Sequence, residues 1–422
     1  MKILLSAVGT RGDIQPFIAL GQGLQAAGHQ VALCTAAGYR AFIEENGVPY
    51  AYMSNEFLEM MQSQEGQAAT EGEVKLNLYK KFGPIIRRAL EDEWQAAQTF
   101  QPDTMIFHPK MLGSYHIAEK LQIPIWHSLP LPFQTPTRAF PNPIFSGVKL
   151  GGWFNRFSYQ LLDLASAMYA GVTNDFRVNT LGLSPRGRFA SALVKADGTP
   201  LPTLYAYSSH VSPRPADFPA HVHVTGYWFL DRPADWQLPA ELMHFLAAGP
   251  PPVYVGFGSM SGTTGAQRAR IVIEALQQTG QRGLLASGWG GLQATELPDT
   301  IYQIDAAPHD WLFPQVAAVV HHGGAGTTAA GLRAGKPTVI CPFIADQPFW
   351  GKVVYERGVG PRPIPQKKLT VKDLTAAIAT AVKDQTMQQR AAELGAQIRS
   401  EDGVACAVAL IGTSQENLQK GR

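Results

Sequence analysis

Short apolar runs alternate with amphipathic segments along both halves of the chain. Near the start, residues 3–8 are apolar, residues 9–13 form a loop with two glycines, and residues 14–27 carry apolar side chains near helical spacing. Residues 30–35 form a second, largely apolar run. A short run that is buried on both faces is typical of a parallel strand, so this segment is predicted to be a βαβ unit.

The same alternation predicts further elements. Strands are predicted over residues 104–107, 123–127, 252–257, 282–287, 317–321 and 337–341, and helices over residues 113–121, 266–278 and 326–334. Strands that alternate with helices indicate parallel sheets covered by helices on both faces.

The length of the chain indicates two domains. At 422 residues it exceeds what one hydrophobic core usually supports. Prolines cluster in residues 212–239, which favours an interdomain connection there. We predict an N-terminal Rossmann-like domain over 1–215, a linker over 216–238, a C-terminal Rossmann-like domain over 239–400, and a helix over 401–422 that packs back on the first domain. The predicted fold class is therefore α/β, with two doubly wound domains facing each other across a cleft.

Composition narrows the choice of partners. The 35 basic and 33 acidic residues are spread along the chain, which argues against nucleic acid as a partner. Three widely spaced cysteines suit a reducing compartment, and the apolar N-terminal run is too short for a membrane span or a signal peptide. A cytoplasmic protein is expected, in which any anionic ligand must be bound by local features.

Two glycine-rich loops supply such features. Residues 321–328 read His-His-Gly-Gly-Ala-Gly-Thr-Thr between a predicted strand and a helix. Glycines let backbone amides approach a phosphate, the helix N-terminus adds partial positive charge, and His322, Thr327 and Thr328 can donate hydrogen bonds. Alternatively, the glycines form only a tight turn and Thr327 caps the helix. Residues 256–264 form a second such loop at the same predicted sheet edge, which favours a diphosphate site.

Three blocks of the sequence, in residues 9–16, 253–259 and 308–347, resemble the family 1 glycosyltransferases of the GT-B fold. The similarity is greatest to the branch with sterol glucosyltransferases and antibiotic-aglycone glycosyltransferases. It implies that the first domain binds an acceptor and the second a nucleotide-sugar donor. It further implies inverting transfer of a hexose, with glucose expected, from a UDP-sugar to a hydroxyl of a lipophilic acceptor such as a sterol or polyphenol. Neither a metal nor a cofactor is expected, since the UDP-sugar is a substrate.

The resemblance also implies the donor-binding residues. These are Gly12, Gly258, Ser259, His309, His322, Gly324, Gly326, Thr327, Asp346 and Gln347. His322 matches the contact to the pyrophosphate, and Asp346 and Gln347 match the pair that holds the sugar hydroxyls. A tryptophan that stacks on uracil in plant relatives is replaced by Ala306, and a ribose-binding glutamate by Ala330, so uridine and thymidine both stay open as the donor base.

Asp13 is the predicted catalytic base, by resemblance to the aspartate of the sterol and antibiotic branch. Alternatively, Asp13 only caps the helix that follows, which would lower its pKa, whereas burial in a closed cleft would raise it. The predicted acceptor-binding residues are Phe57, His108, His127 and Phe133, although both histidines could instead be satisfied core residues. Residues 130–155 are expected to form a long loop lining the cleft.

Other functions stay open. A transferase that uses a thymidine-linked deoxysugar on a polyketide or glycopeptide aglycone is the first alternative, and a non-catalytic nucleotide-sugar-binding protein is the second. Basic residues flank apolar ones in residues 75–88, which predicts a solvated basic face or, alternatively, a peripheral membrane contact. The sequence does not determine the oligomeric state.

Overall fold

Two parallel β-sheets, each flanked by helices, make up the fold. The computed structural model describes residues 1–63, 76–161, 167–191, 193–233, 236–237, 239–257, 265–286, 297–305 and 307–420. The first sheet has the strand order β3-β2-β1-β4-β5-β6-β7, and the second has the order β10-β9-β8-β11-β12. All of the strand pairings within the two sheets are parallel. The predicted α/β class is thereby confirmed.

The strands are short. Those of the first sheet are β1 (Lys2–Ser6), β2 (Gln30–Ala36), β3 (Tyr50–Met53), β4 (Thr104–Phe107), β5 (Ile125–Leu129), β6 (Thr203–Tyr205) and β7 (Val222–Val224). Those of the second are β8 (Val253–Gly256), β9 (Gly283–Ala286), β10 (Ile301–Ile304), β11 (Ala318–His321) and β12 (Thr338–Ile340).

Helices occur along the whole described chain. In order they are α1 (Arg11–Ala26), α2 (Arg40–Glu45), α3 (Glu56–Gln62), α4 (Leu76–Phe100), α5 (Ser114–Leu121), α6 (Gly151–Ser158), α7 (Ala170–Asn179), α8 (Ala240–Ala247), α9 (Gly265–Thr279), α10 (His309–Leu312), α11 (Ala325–Arg333), α12 (Gln347–Glu356), α13 (Val371–Lys383), α14 (Gln385–Ser400) and α15 (Gly403–Lys420).

Both faces of each sheet are buried. In β1, Ile3 and Leu5 contribute to one apolar cluster, whereas Leu4 contributes to another, because successive strand side chains point to opposite faces. In β8, Val253 and Tyr254 separate in the same way. This double burial explains why the strands read as continuous apolar runs in the sequence.

Four strands lie outside the predicted set, namely β3, β6, β7 and β10. Three of these, β3, β7 and β10, lie at sheet edges, and Tyr52 of β3 is 57% exposed. Edge strands face solvent in part and therefore lack a continuous apolar run. Because β7 belongs to the first sheet, that sheet extends into the segment predicted as the linker.

The C-terminal helix α15 packs against α1 of the first half of the chain. Ala407 and Ile411 of α15 belong to the same apolar cluster as Trp228. The indole Nε1 of Trp228 donates to the Gly403 carbonyl at 3.1 Å, which fixes the start of the helix. The two halves also share an apolar cluster that includes Tyr205 and Trp350.

Two predicted surface features differ in part from expectation. Residues 130–155 are mostly loop, but they contain a short 3-10 helix at Pro143–Phe145 and the start of α6.

In α4, Arg87 donates to Glu91 and Thr180 at 2.7 Å and also pairs with Asp175, so this cation is engaged with protein groups. No helix in the described part of the chain is both long and apolar enough to cross a membrane.

Replacement of Gly403 by alanine is expected to loosen α15. A Cβ atom at this position would lie 2.5 Å from the Gly226 carbonyl carbon, and backbone atoms cannot move aside cheaply. Overpacking of this kind costs about 2 kcal/mol, which lowers the melting temperature by about 4–8 °C. Gly412→Ala in the same helix is the control, because its Cβ meets no atom within 4 Å and should stabilise slightly. Equal melting temperatures for Gly403→Ala and the unmodified protein would contradict this packing.

Candidate active site

The loops at the carboxyl ends of four strands carry the polar residues of the site. Asp13 follows β1, and His108 and Lys110 follow β4, its neighbour in the first sheet. In the second sheet, His322 follows β11 and Asp346 follows β12. Ligands of parallel α/β sheets bind beyond this edge.

Asp13 lies inside the first turn of α1 and does not cap it. The cap residue is Thr10, and α1 begins at Arg11, three residues before the predicted start. The Thr10 amide donates to Asp13 Oδ2 at 2.7 Å, as in a capping box. The capping hypothesis was therefore wrong about the position, but the carboxylate does stabilise the helix start.

A lysine and a histidine hold the Asp13 carboxylate. Lys110 Nζ donates to Oδ1 at 2.9 Å and to Oδ2 at 2.8 Å, and His108 Nε2 lies 3.4 Å from Oδ1. Burial raises the pKa of Asp13, but the charges of Lys110 and His108 and the bonds from Lys110 and Thr10 outweigh it, so the pKa is lowered. Burial therefore raises the pKa of Asp13 as expected, but the neighbouring positive charges and hydrogen bonds lower it by more.

His108 is a neutral partner of Asp13. Burial lowers the pKa of His108 to about 4, although the charge of Asp13 opposes this effect. Its Nδ1 accepts a bond from the Lys110 amide at 3.3 Å, so we assign the ring proton to Nε2, which faces Asp13. The prediction placed His108 among the acceptor-binding residues, and the structure brings it directly to the predicted base.

Gly9 makes the close approach of these groups possible. Its φ is 140°, a backbone conformation that favours glycine. A Cβ at this position would lie 2.8 Å from Asp13 Cγ and 2.9 Å from Lys110 Nζ. A larger residue at Gly9 would therefore clash with the ion pair of Asp13 and Lys110.

The loop after β11 exposes a helix N-terminus. Gly324 caps α11, and a Cβ at Gly326 would meet no atom within 4 Å, so the first turn faces open space. The Thr328 hydroxyl donates to the Gly324 carbonyl at 2.9 Å, and Thr327 is partly buried without being the cap. The free amides of this first turn form an anion site with positive partial charge.

His322 lies beside this helix start. A Cβ at Gly324 would lie 2.6 Å from His322 Nε2, so glycine leaves room for the ring. Burial lowers the pKa of His322 to about 4, with the Gly256 carbonyl opposing the effect. Its Nδ1 is buried without a hydrogen-bond partner in the described chain.

Asp346 and Gln347 differ in what they can offer a ligand. Asp346 Oδ2 accepts a bond from Trp350 Nε1 at 3.1 Å, and burial is the first cause that raises the Asp346 pKa to about 6. Gln347 Oε1 is engaged by the Phe343 amide at 2.7 Å, so only the NH₂ end of this side chain is available to donate. Ala345, with φ 57°, adopts a strained conformation that turns the chain into this pair.

The remaining predicted donor residues are distributed as follows. His309 stacks on Phe313 with ring centroids 4.2 Å apart, and burial lowers its pKa to about 4. Gly12 is exposed at the start of α1. Gly258, Ser259 and the substituted position Ala306 lie outside the described residues.

The loops of the two sheets face each other. The negative charge of Asp13 raises the pKa of Asp346, and the positive charge of Lys110 lowers it. The charge of Arg11 likewise lowers the pKa of His309. Coulombic effects between charges fall off with distance, so Asp13 and Lys110 of the first domain lie within electrostatic range of Asp346 of the second.

The other predicted acceptor residues do not contact Asp13 in the first half of the chain. His127 is fully buried, its ring packs edge-on to Phe107, and neither ring nitrogen has a hydrogen-bond partner in the described chain. Phe57 packs against the core below the first sheet, and Phe133 packs against the shared cluster. The structure thus groups only His108 with Asp13.

Lys110 is the residue that sequence reasoning missed. It belongs to no motif, and a single lysine two residues after a strand carries little signal. Its position at the carboxyl end of β4 could have been noticed, because β4 is predicted correctly and pairs with β1.

Known proteins match the chain over its whole length. The sequence model of the glycosyltransferase family 28 N-terminal domain matches residues 3–141, and that of the erythromycin biosynthesis protein CIII-like C-terminal domain matches residues 290–408. A sterol 3-beta-glucosyltransferase of Arabidopsis thaliana is 39% identical over 97% of this chain and 67% of its own length. One of Emericella nidulans is 39% identical over 97% of this chain but only 30% of its own length.

Solved structures share the fold. The glycosyltransferase of kitacinnamycin superposes with a TM-score of 0.72 at 20% identity, over 98% of both chains. A Streptomyces glycosyltransferase in complex with thymidine diphosphate gives a TM-score of 0.63 at 19% identity, over 98% of this chain and 99% of that one.

Fold and site together define a glycosyltransferase of the GT-B fold, as the sequence blocks predicted. The chain belongs to the sterol 3-beta-glucosyltransferase family, because a relative of that name is 39% identical over 97% of this chain.

The raised pKa of Asp346 predicts a pH-dependent affinity for the sugar of the donor. Above pH about 6 the carboxylate is charged and can accept bonds from sugar hydroxyls, and below it the group is protonated. The KM for the nucleotide sugar should therefore rise as pH falls through 6. In Asp346→Asn it should be high and independent of pH over this range. A pH dependence of KM that persists in Asp346→Asn would argue against Asp346 as the cause.

Proposed function

We propose that the protein transfers glucose from UDP-glucose to the 3β-hydroxyl of a sterol, with inversion at the anomeric carbon. The names of the relatives, of which this chain spans 67% and 30% in the two cases above, support the sugar and the acceptor. The observation that supports the mechanism is that Asp13 follows β1 of the first sheet and the α11 N-terminus follows β11 of the second, each beyond the carboxyl end of a parallel strand.

The first domain supplies the base. Asp13 accepts the proton of the acceptor hydroxyl while the hydroxyl oxygen attacks the anomeric carbon. His108 Nε2 lies 3.4 Å from the same carboxylate and helps to keep its orientation, since the ring is fixed by burial and by its edge contact with Phe17. Proton transfer to a positioned side chain accounts for a factor of about 10²–10⁴ in rate.

The second domain supplies the leaving-group site. The C–O bond of the donor breaks and the diphosphate departs with the electron pair. The amides and dipole of α11, with His322 beside them, stabilise its growing negative charge. Asp346 orients the sugar through its hydroxyls, which fixes the face of the anomeric carbon that the acceptor can attack.

The base assignment is tested with Asp13→Asn. The amide can still accept a bond from Thr10, so α1 keeps its capping box, but it cannot take a proton. The initial rate of sterol glucoside formation, followed by mass spectrometry, should fall by about 10²–10⁴. Asp384→Asn is the matched control, because Asp384 also accepts a helix-start amide, that of Met387 in α14. Turnover of Asp13→Asn at the rate of the control would show that Asp13 is not the base.

The same assay distinguishes the donors. UDP-glucose and a thymidine-linked deoxysugar are offered separately against sterols, polyphenols and macrolide aglycones. A hexose adduct from UDP-glucose on a sterol supports the proposal. Product only from the thymidine donor, on an aglycone, would support the alternative transferase, and nucleotide-sugar binding without product would support a binding protein.

Metal independence is a further expectation. The α11 amides and His322 already offer positive potential to the diphosphate, so no divalent ion is needed to offset its charge. The rate of glucoside formation should be unchanged by an excess of EDTA. A loss of activity that Mg²⁺ or Mn²⁺ restores would contradict this expectation.

A further inference from the structure

Two neighbours surround the Asp13 carboxylate with hydrogen bonds. Oδ2 accepts from the Thr10 amide at 2.7 Å, from the Thr10 hydroxyl at 3.2 Å and from Lys110 at 2.8 Å. Oδ1 accepts from Lys110 at 2.9 Å, and the buried His108 ring lies against it at 3.4 Å. A carboxylate offers roughly four lone-pair positions, so little of this one is left for an acceptor hydroxyl. If Asp13 is the base of the proposed function, departure of a present partner would clear the carboxylate for that hydroxyl.

Lys110 is the partner that can leave. The Thr10 amide is part of the helix start, and the side chain of His108 is 5% exposed and bonded to the Lys110 amide. The Lys110 side chain is 47% exposed and joins its ammonium group to the backbone through a flexible four-carbon stem. It can swing away from Asp13 without any change in the backbone.

A bound donor offers the lysine a stronger partner. The Lys110 charge lowers the pKa of Asp346 as well as that of Asp13, so this one ammonium group acts on carboxylates of both domains. The diphosphate expected at the N-terminus of α11 carries about two negative charges, against one on Asp13. Coulombic attraction therefore favours movement of Lys110 from the carboxylate to the diphosphate.

We propose that Lys110 is a displaceable countercharge, which occupies Asp13 in the empty cleft and moves to the diphosphate of the bound donor. Asp13 is thereby released as a base only after the donor has entered. Asp13 then takes the proton of the acceptor hydroxyl, and the oxygen forms the glycosidic bond. The diphosphate leaves with the electrons of the broken C–O bond, next to the ammonium group that offsets its charge. This inference rests on the proposed function.

Release of Lys110 also changes the basicity of Asp13. The groups that act on this carboxylate are His108 and Lys110 beyond β4, Tyr39 after β2 and Asp346 from the second domain. Of these, Lys110 lowers the pKa of Asp13 most. Once it has moved, burial and the neighbouring Asp346 carboxylate raise the pKa. Donor binding would thus turn a weak, paired base into a stronger and free one.

Lys110→Met tests the proposal through binding and through pH. The Kd for UDP, measured by titration calorimetry, should increase about tenfold, because the variant lacks the cation that reaches the diphosphate. The acid limb of kcat/KM for UDP-glucose reports the free enzyme and should move up by roughly one pH unit, since Asp13 has lost its countercharge. The acid limb of kcat, with both substrates saturating, should not move, because in the unmodified enzyme the lysine has already left. Lys120→Met, at an exposed lysine of α5, is the control and should change none of these values.

The outcomes separate this inference from the proposed function. An unchanged Kd for UDP in Lys110→Met, or an equal shift of both acid limbs, would show that Lys110 stays on Asp13 as a fixed positioning residue. That result would overturn the inference and leave glycosyl transfer intact. Failure of the unmodified protein to bind UDP or thymidine diphosphate would overturn both.

A direct measurement covers the case in which Lys110→Met does not fold. Reductive ¹³C-methylation keeps lysines charged, and Lys110→Arg identifies the signal of Lys110 by its absence. Addition of UDP should shift this signal while that of Lys120 stays in place. A Lys110 signal that does not respond to saturating UDP would contradict movement of the lysine.

Discussion

Burial of both faces of each parallel sheet is the constraint on which the rest of the structure depends. Leu4 and Leu5 point to different cores and are both fully buried. Strand positions with such surroundings tolerate few polar groups, so the chemistry is confined to the loops at the strand ends. Two such sheets with facing edges give a site made of two parts. Under the proposed function, the base comes from one domain and the leaving-group site from the other.

In this arrangement the Asp13 carboxylate is subject to two opposing effects on its pKa. Asp13 stabilises the start of α1 through the Thr10 amide, and such a bond favours its charged form and weakens it as a base. Burial acts in the opposite direction, and Lys110 decides the balance in the empty cleft. A base whose strength depends on a mobile cation can satisfy both demands at different stages of the reaction.

The inner strands and the glycine-rich turn before α11 could be predicted from the sequence, and for one reason. Both are local patterns: β4 is a continuous apolar run, and the glycines at 323, 324 and 326 stand next to a helix start. Edge strands such as β10 are half exposed and lack that pattern. Asp13 was predicted as the base by resemblance. The prediction that it caps α1 was wrong, because the helix begins at Arg11, before the first residue of the apolar pattern. Lys110 could not be found from local pattern, since its role arises from contact with a residue 97 positions away in the chain.

Under the proposed function, the two domains offer a nucleotide sugar two kinds of partner. One is the pair of carboxylates of Asp13 and Asp346, whose charges act on each other. The other is the N-terminus of α11, with its amides and positive partial charge. A nucleotide sugar joins a doubly charged diphosphate to a ring of neutral hydroxyl donors. The diphosphate then suits α11, and the hydroxyls suit Asp346. Selectivity for such a ligand then follows from charge placement, because a free phosphate suits only one of these partners and a free sugar only the other.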